Sequence, residues 1–490
     1  MKHIILIVSM SLLYVCMATS QVKHEMRAVW LTTNYGLDWP LQRGGYAVDA
    51  DQQKRDLVLL LNRLQEANIN VVFLQARIRG DVIYQSAIEP WSKYVLPKGQ
   101  STPGYDPLEF AINACHERGI ECHAWFVAYP MGAVAKGQGH MSARVRSLVR
   151  VCQDEYNLDP GEPETTEYLL NLVKELVQKY DVDGIHFDYI RYPAQLASFP
   201  DAATYRKYGY GKSLNEWRKD NINQFVYQAY NYVKEIKPWV QVSSSVVGMY
   251  TKIPGKTQAY MTASDVCQDP ADWLAKGKHD FIVPMMFHSG DLFYPFVQDW
   301  LARSNNRWVI PGLGAYRMDE SNWKPQTISE QVSYSRQQRT AGNAYYRTKN
   351  VLDSKNNILG QIKDGFYKNP ALLPPLTWMN STPPPAPIIT DETRGGDRDL
   401  IIAWNDAAKS SKSTVYYNVY CSSQYPVDTN NPDNLIVSRY KGNQVKLYPQ
   451  TPIPASFYYV VTAYDRFHNE SAPSRTYLIS TGVSNMADNF

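Results

Sequence analysis

Cysteine is scarce in this chain: six in 490 residues, none arranged as C-x-x-C. Neither a disulfide scaffold nor a cysteine-rich zinc site is signalled. Neither sign of charge is in excess, since 50 basic against 47 acidic residues leave a formal +3, and so weak a field argues against nucleic acid as a partner. Beyond the first 20 or so residues no apolar run approaches the roughly 20 that a spanning helix needs. A membrane-spanning protein is therefore excluded by the pattern. No glycine-rich phosphate turn follows the first strand-like segment, and no H-E-x-x-H and no internal repeat occur. No cofactor and no metal are expected.

Aromatic residues, in contrast, are plentiful: 36 Tyr and 12 Trp. Flat rings with one polar edge suit sugar faces, although cores and interfaces use them too. The opening residues, MKHIILIVSMSLLYVCMATS, join a basic start to an apolar stretch from Ile4, then the small residues Ala18 and Ser20. That order is the mark of a signal peptide over residues 1–20, with export to the periplasm or cell surface. Cys16 is preceded by Val15 rather than a small residue, which disfavours a lipid anchor there.

From about Met26 to Tyr367 short apolar segments alternate with longer amphipathic ones, as βα units with a parallel sheet require. Eight strand candidates are RAVWLTTNYG, INVVFLQARI, IECHAWFVAY, VDGIHFDYIRY, VQVSSSVVGMY, DFIVPMMFHS, WVIPGLGAY and NAYYRTKNVL. Between the first two, DQQKRDLVLLLNRLQEAN carries Leu57, Leu60, Leu61 and Leu64 at helical spacing. DPLEFAINACHERGI opens with an Asp cap and Pro107 and stops at Gly119. A (β/α)8 barrel over 26–378 is the expected architecture, with a doubly wound open sheet the alternative. Prolines from Pro383 to Pro387 make 379–387 read as a stiff linker. Residues 388–482 then give short β-rich segments with polar turns, an all-β sandwich in which SFYYVVTAYDRFHNESAPS resembles the closing strands of a fibronectin type III domain.

Within the fourth strand candidate, GIHFDYIRYP sets His186 and Asp188 two apart in an apolar run. Strand alternation puts Ile185 and Phe187 on one face and His186 and Asp188 on the other, so the polar pair faces the barrel interior near its carboxyl end. A carboxylate buried there needs a partner or a task. An ion pair with Arg77 or Arg191 is the plain explanation; a catalytic role is favoured because the strand ends at once in a polar, aromatic loop. A barrel histidine such as His186 is more ordinary, being often a satisfied core group. Arg77 on the second strand, and His123 and Trp125 on the third, are further inward candidates for substrate contact, as are Asn34 and Tyr35 at the end of the first and Arg191 in the loop after the fourth. Trp39 and Trp91 are candidate cleft walls.

The segments FDYIRYP, RAVWLTT, GDVIYQSAIEPWSKYV, GYDPLEFAINACHERGIECHAWF and DFIVPMMF together resemble the glycosyl hydrolase-like family 10 of bacterial extracytoplasmic proteins, from Met26 to about Trp378. The resemblance implies a TIM barrel acting on glycosidic bonds of a poly- or oligosaccharide, and some relatives are associated with peptidoglycan glycan strands. Glycoside hydrolysis ordinarily uses two carboxyl groups. Asp188 is the first, and Glu89, in the segment that matches the family's Glu-Pro-Trp-Ser, is taken as the second; Asp81, Asp291, Asp319 and Glu320 follow other strands and stand in reserve. By analogy with amylase-type barrels, Asp188 is expected to act ionised, as nucleophile or stabiliser, assisted by His186. Two departures bear on substrate: VAYP follows HAWF where the family has Asn-Pro-Tyr-Arg, and Met286 stands where a glutamine is usual. A non-catalytic carbohydrate-binding protein on the same barrel is the alternative, and a metal-dependent hydrolase built on His123, His186, Asp188 and His288 ranks below both.

Overall fold

The computed structural model describes residues 21–480 apart from 195, 257–258, 322, 355, 396–398, 406–413 and 448–455. The leader read at residues 1–20, with Cys16, lies outside the described residues.

Parallel strands close into an eight-stranded barrel: β1 (Met26–Leu31), β2 (Val71–Arg77), β3 (Glu121–Val127), β4 (Gly184–Asp188), β5 (Gln241–Val247), β6 (Phe281–Met285), β7 in two pieces (Trp308–Val309 and Gly312–Leu313) and β8 (Gly342–Tyr345). Hydrogen bonding runs β5-β4-β3-β2-β1-β8-β7-β6, and β5 pairs with β6 to complete the ring. The expected (β/α)8 barrel is what forms. Its helices are α1 (Ala50–Glu66), α2 (Pro107–His116), α3 (Pro163–Lys179), α4 (Leu214–Ile236), α5 (Pro270–Ala275), α6 (Tyr294–Ala302), α7 (Pro325–Gln337) and α8 (Thr348–Leu352). Local chemistry starts them where the sequence predicts. Asp49 accepts the Gln52 N–H ahead of α1, Asp106 accepts two N–H groups ahead of Pro107, and Ser213 with Glu216 forms a capping box on α4.

Strand alternation sorts the side chains into two cores. Val72, Leu74, Phe126, Ile185 and Phe187 face outward and meet Leu57, Leu61 and Leu64 of α1 and Phe225 of α4 in the layer beneath the helices. Each such leucine, fully buried, contributes about 2 kcal/mol. Trp30, Phe73, Trp125, Phe281 and Val283 fill the interior, so the barrel is packed rather than hollow. Between β3 and α3 the chain makes an insertion, a three-stranded antiparallel sheet of Pro130–Ala133, Val149–Cys152 and Glu155–Leu158. Cys115, Cys122, Cys152 and Cys267 are reduced and buried; Cys421 is reduced and half-buried.

The tail forms a second, all-β unit of β9 (Ile389–Gly395), β10 (Asp399–Trp404), β11 (Tyr416–Ser422), β12 (Leu435–Tyr440), β13 (Gln444–Leu447), β14 (Ser456–Tyr464) and β15 (Tyr477–Ser480). Two antiparallel sheets, β9-β10-β13 and β12-β11-β14-β15, enclose Ile402, Trp404, Tyr417, Val419 and Val461. This unit is docked on the amino ends of the barrel strands. Glu121, the first residue of β3, accepts from His468 Nε2 at 2.9 Å; Asp183, just before β4, pairs with Arg439 at 2.5 Å; and Trp308 at the start of β7 stacks on the His468 ring. Burial works against the Glu121 charge, but His468 and Arg439 hold its carboxyl far below the ordinary range.

Candidate active site

The carboxyl end of β4 turns sharply because Tyr189 takes a left-handed conformation, φ 50°. That turn aims the Tyr189 N–H at Asp188 Oδ1, 2.7 Å away, while the Trp125 indole N–H on neighbouring β3 donates to Oδ2 at 3.1 Å. Asp188 is only 5% exposed. Burial pushes its carboxyl above the ordinary range, against the Arg191 charge, the two N–H donors and the Arg79 charge. Both arginines are therefore close enough to feel it, and Arg191 lies over the Tyr189 ring at 4.6 Å. A carboxyl raised by burial in a nearly dry site is suited to donate a proton. The expected ionised nucleophile is the less natural role.

Beside Asp188 the mouth is floored by rings. Trp30 underlies Phe287 and Tyr346 at 6.2 and 6.0 Å, and Tyr316 meets both of these at 5.8 Å. Phe287, Tyr316 and Tyr346 are half-exposed, which leaves aromatic faces open to a sugar ring. The Tyr346 phenol is pushed up to about 12 by burial and by the Asp188 charge. Sequence reading missed this group, since its members come from β1 and from the loops after β6, β7 and β8.

A cleft of about 490 Å³ opens among the loops after β1, β2 and β3 and is lined by Asn34, Arg79, Asp81, Trp91, Tyr94 and Lys136, among others. Asn34 and Trp91, expected to line the cleft, line this one, whose walls do not include Asp188. Gln75 Oε1 pins the β1 loop by accepting the Thr33 and Asn34 N–H groups. Tyr35 stands at the rim, 54% exposed, with Lys136 donating to its hydroxyl at 3.1 Å. Asp81 Oδ1 accepts the Arg79 N–H at 3.1 Å, and burial raises its carboxyl too. The Arg79 guanidinium itself pairs with Glu155 of the insertion. Gly80 makes this turn possible: its φ is 80°, and a Cβ there would sit 2.5 Å from Met131 Cε. Lys136, on the β3–α3 insertion, carried no signal in the sequence.

Five expected site residues require correction. Arg77 does not reach the mouth: its guanidinium packs on the Phe126 ring, on the helix side of the sheet. Glu89 is held there with it, accepting from Arg77 Nε at 2.8 Å and Nη2 at 2.6 Å and from the Tyr168 hydroxyl of α3 at 2.5 Å. This buried fork ties the β2 loop to α3 and occupies both oxygens that a catalytic carboxyl would need free. His186 points inward as expected but lies a layer below the mouth. It is stacked on Phe73 at 4.0 Å, bonded by the Trp30 indole and by Ser243 and Ser245, and burial keeps it neutral. His123 is deeper still, bonded to Glu121 at 3.0 Å. Trp39, the expected wall, is buried with its indole donating to Gln53 O.

A family model described as Glycosyl hydrolase-like 10 matches residues 25–311. The chain is 29% identical over 487 residues to glycosyl hydrolase YngK of Bacillus subtilis strain 168, covering 94% of each. To glycosyl hydrolase DigH of Escherichia coli strain K12 it is 31% identical over 332 residues, 62% of this chain and 76% of that one. Among solved structures, the glycoside hydrolase domain of PgaB (BpsB) from Bordetella bronchiseptica aligns with a TM-score of 0.49 at 16% identity, over 69% of this chain and 98% of that one.

Proposed function

The chain belongs to the glycosyl hydrolase-like 10 family, and from that premise we propose that it is an exported glycosidase in which Asp188 protonates the leaving glycosidic oxygen. Family membership supports a glycosidase-type function; the role of Asp188 rests on one observation, a mouth-facing carboxyl raised by burial and held by Trp125 and Tyr189. The sugar ring on the leaving side stacks on Tyr346 and Phe287. As the C–O bond breaks, the Asp188 proton passes to the departing oxygen, and water completes the reaction at the anomeric carbon. Asp81 supplies the second carboxyl, because it lines the cleft formed by the loops after β1, β2 and β3 while Glu89 is engaged by Arg77 and Tyr168. Peptidoglycan glycan strands are the first polymer to test, and export rests on the leader at residues 1–20.

Reducing ends released from peptide-free peptidoglycan strands, chitin and cellulose measure the activity. Wild-type protein is expected to cleave at least one polymer, and Asp188→Asn to lose about 10²- to 10⁴-fold in kcat. Undiminished turnover by Asp188→Asn would remove this residue from the mechanism. Glycan retention without any product from wild type would assign binding rather than hydrolysis.

A further inference from the structure

A second groove, of about 570 Å³, runs along the flank of the barrel between α3 and α4. We infer that it is a distal subsite for an extended, uncharged stretch of glycan; the inference rests on the glycosidase reading above.

The walls have the chemistry of sugar recognition. Tyr210 is 84% exposed and Tyr232 39% exposed, and both line the groove with the half-buried Tyr208. Exposed rings of this kind bury readily against the C–H face of a pyranose. Between them project the amides of Asn171, Gln224 and Gln228, each able to donate to one hydroxyl and accept from another. Charge is balanced: Lys174 and Lys212 stand against Glu167 and Asp220, and Lys212 is tied to Asp220 at 2.5 Å. A polyanion finds no net attraction in such a groove, whereas a neutral hydroxyl-rich chain loses nothing by it.

The floor is fixed. Trp217 is buried, and its ring lies so close to Gly161 that a Cβ there would be 2.3 Å from Cη2. Continuity with the catalytic loop comes through Asn221, which lines the groove and donates to the Tyr192 hydroxyl at 3.3 Å. Tyr192 is four residues beyond Asp188 in the loop leaving β4. The groove takes in the first turns of α3 and α4, the helix ends that lie at the catalytic face of a (β/α)8 barrel. Holding a distant part of a polymer raises the local concentration of cleavable bonds at Asp188.

The test compares retention of the full-length Asp188→Asn protein on three immobilised neutral polymers, chitin, cellulose and linear mannan, with that of Asp188→Asn/Tyr210→Ala/Tyr232→Ala. Both tyrosines are exposed, and unchanged circular dichroism verifies folding. At least one polymer is expected to retain the first protein, and loss of the two rings to weaken that retention by about tenfold. Equal retention of the two proteins, or no retention on any of the three polymers, overturns the subsite. Hydrolysis by wild type is scored separately: cleavage with tyrosine-independent retention sinks the groove alone, and tyrosine-dependent retention without cleavage sinks the catalytic reading alone.

Discussion

Asp188 carries a cost that its own structure does not remove. Its carboxyl is raised by burial although four groups oppose the shift, so the folded protein binds a proton there more tightly than the unfolded chain does. Stability contributed at low pH is lost as pH rises from the ordinary carboxylate range through the raised value. Asp188→Asn is therefore expected to melt above wild type at about pH 7, with the gap closing towards about pH 4; calorimetry at both pH values checks it, and equal melting at pH 7 would refute it. Substitution of Glu89 is expected to be destabilising. Glu89→Gln leaves the Arg77 guanidinium buried without its counter-charge, at a cost of about 3–5 kcal/mol in denaturant titration, while activity below the melting range is largely kept. The inward aim of Asp188 was legible because plain strand parity holds through β4. Parity misleads for Arg77, since the β2–β3 register slips between Gln75 and Arg77: Gln75 lies opposite Trp125, but Arg77 lies opposite Phe126. One extra residue thus turns an expected cleft arginine to the helix side, and Glu89 follows it.

At the level of elements, apolar runs and caps give away seven strands as single pieces. β7 is broken at Pro311, which has no N–H to give the ladder, although the Ile310 N–H still reaches Ile282 O. The short antiparallel strands of the β3–α3 insertion were not read at all, having too few residues each for alternation to register. β4 contains a sharper constraint that the sequence displayed without explaining. Gly184 lies under the His123 ring, and a Cβ would be 2.3 Å from Nδ1. Gly184→Ala is expected to push His123 off Glu121 and cost about 1–3 kcal/mol as overpacking; a melting point equal to wild type would show that the ring moves freely.

For the whole molecule, the proline-rich stretch stood out in the sequence, but not which residues pack together from either side of it. Pairing between distant segments leaves no local signature: Glu121 and Asp183 look like surface acids until Arg439, Arg466 and His468 come to them from more than 250 residues away. Tyr464 adds a bond to Leu373 O, and Ser438 O lies so near Gly119 that a side chain could not fit. A protein ended at residue 387 is expected to be insoluble or to melt far below the full chain, which itself should unfold in one calorimetric transition; two separate transitions would refute the coupling. The same clamp sets an order of events during synthesis. A chain made from its amino end produces all eight barrel strands before Arg439 exists, so Glu121 and Asp183 have only their barrel partners, His123 and His116 among them, until that segment is made. The last charge pairs at the foot of the barrel thus form only once the all-β unit that carries Arg439, Arg466 and His468 has been made.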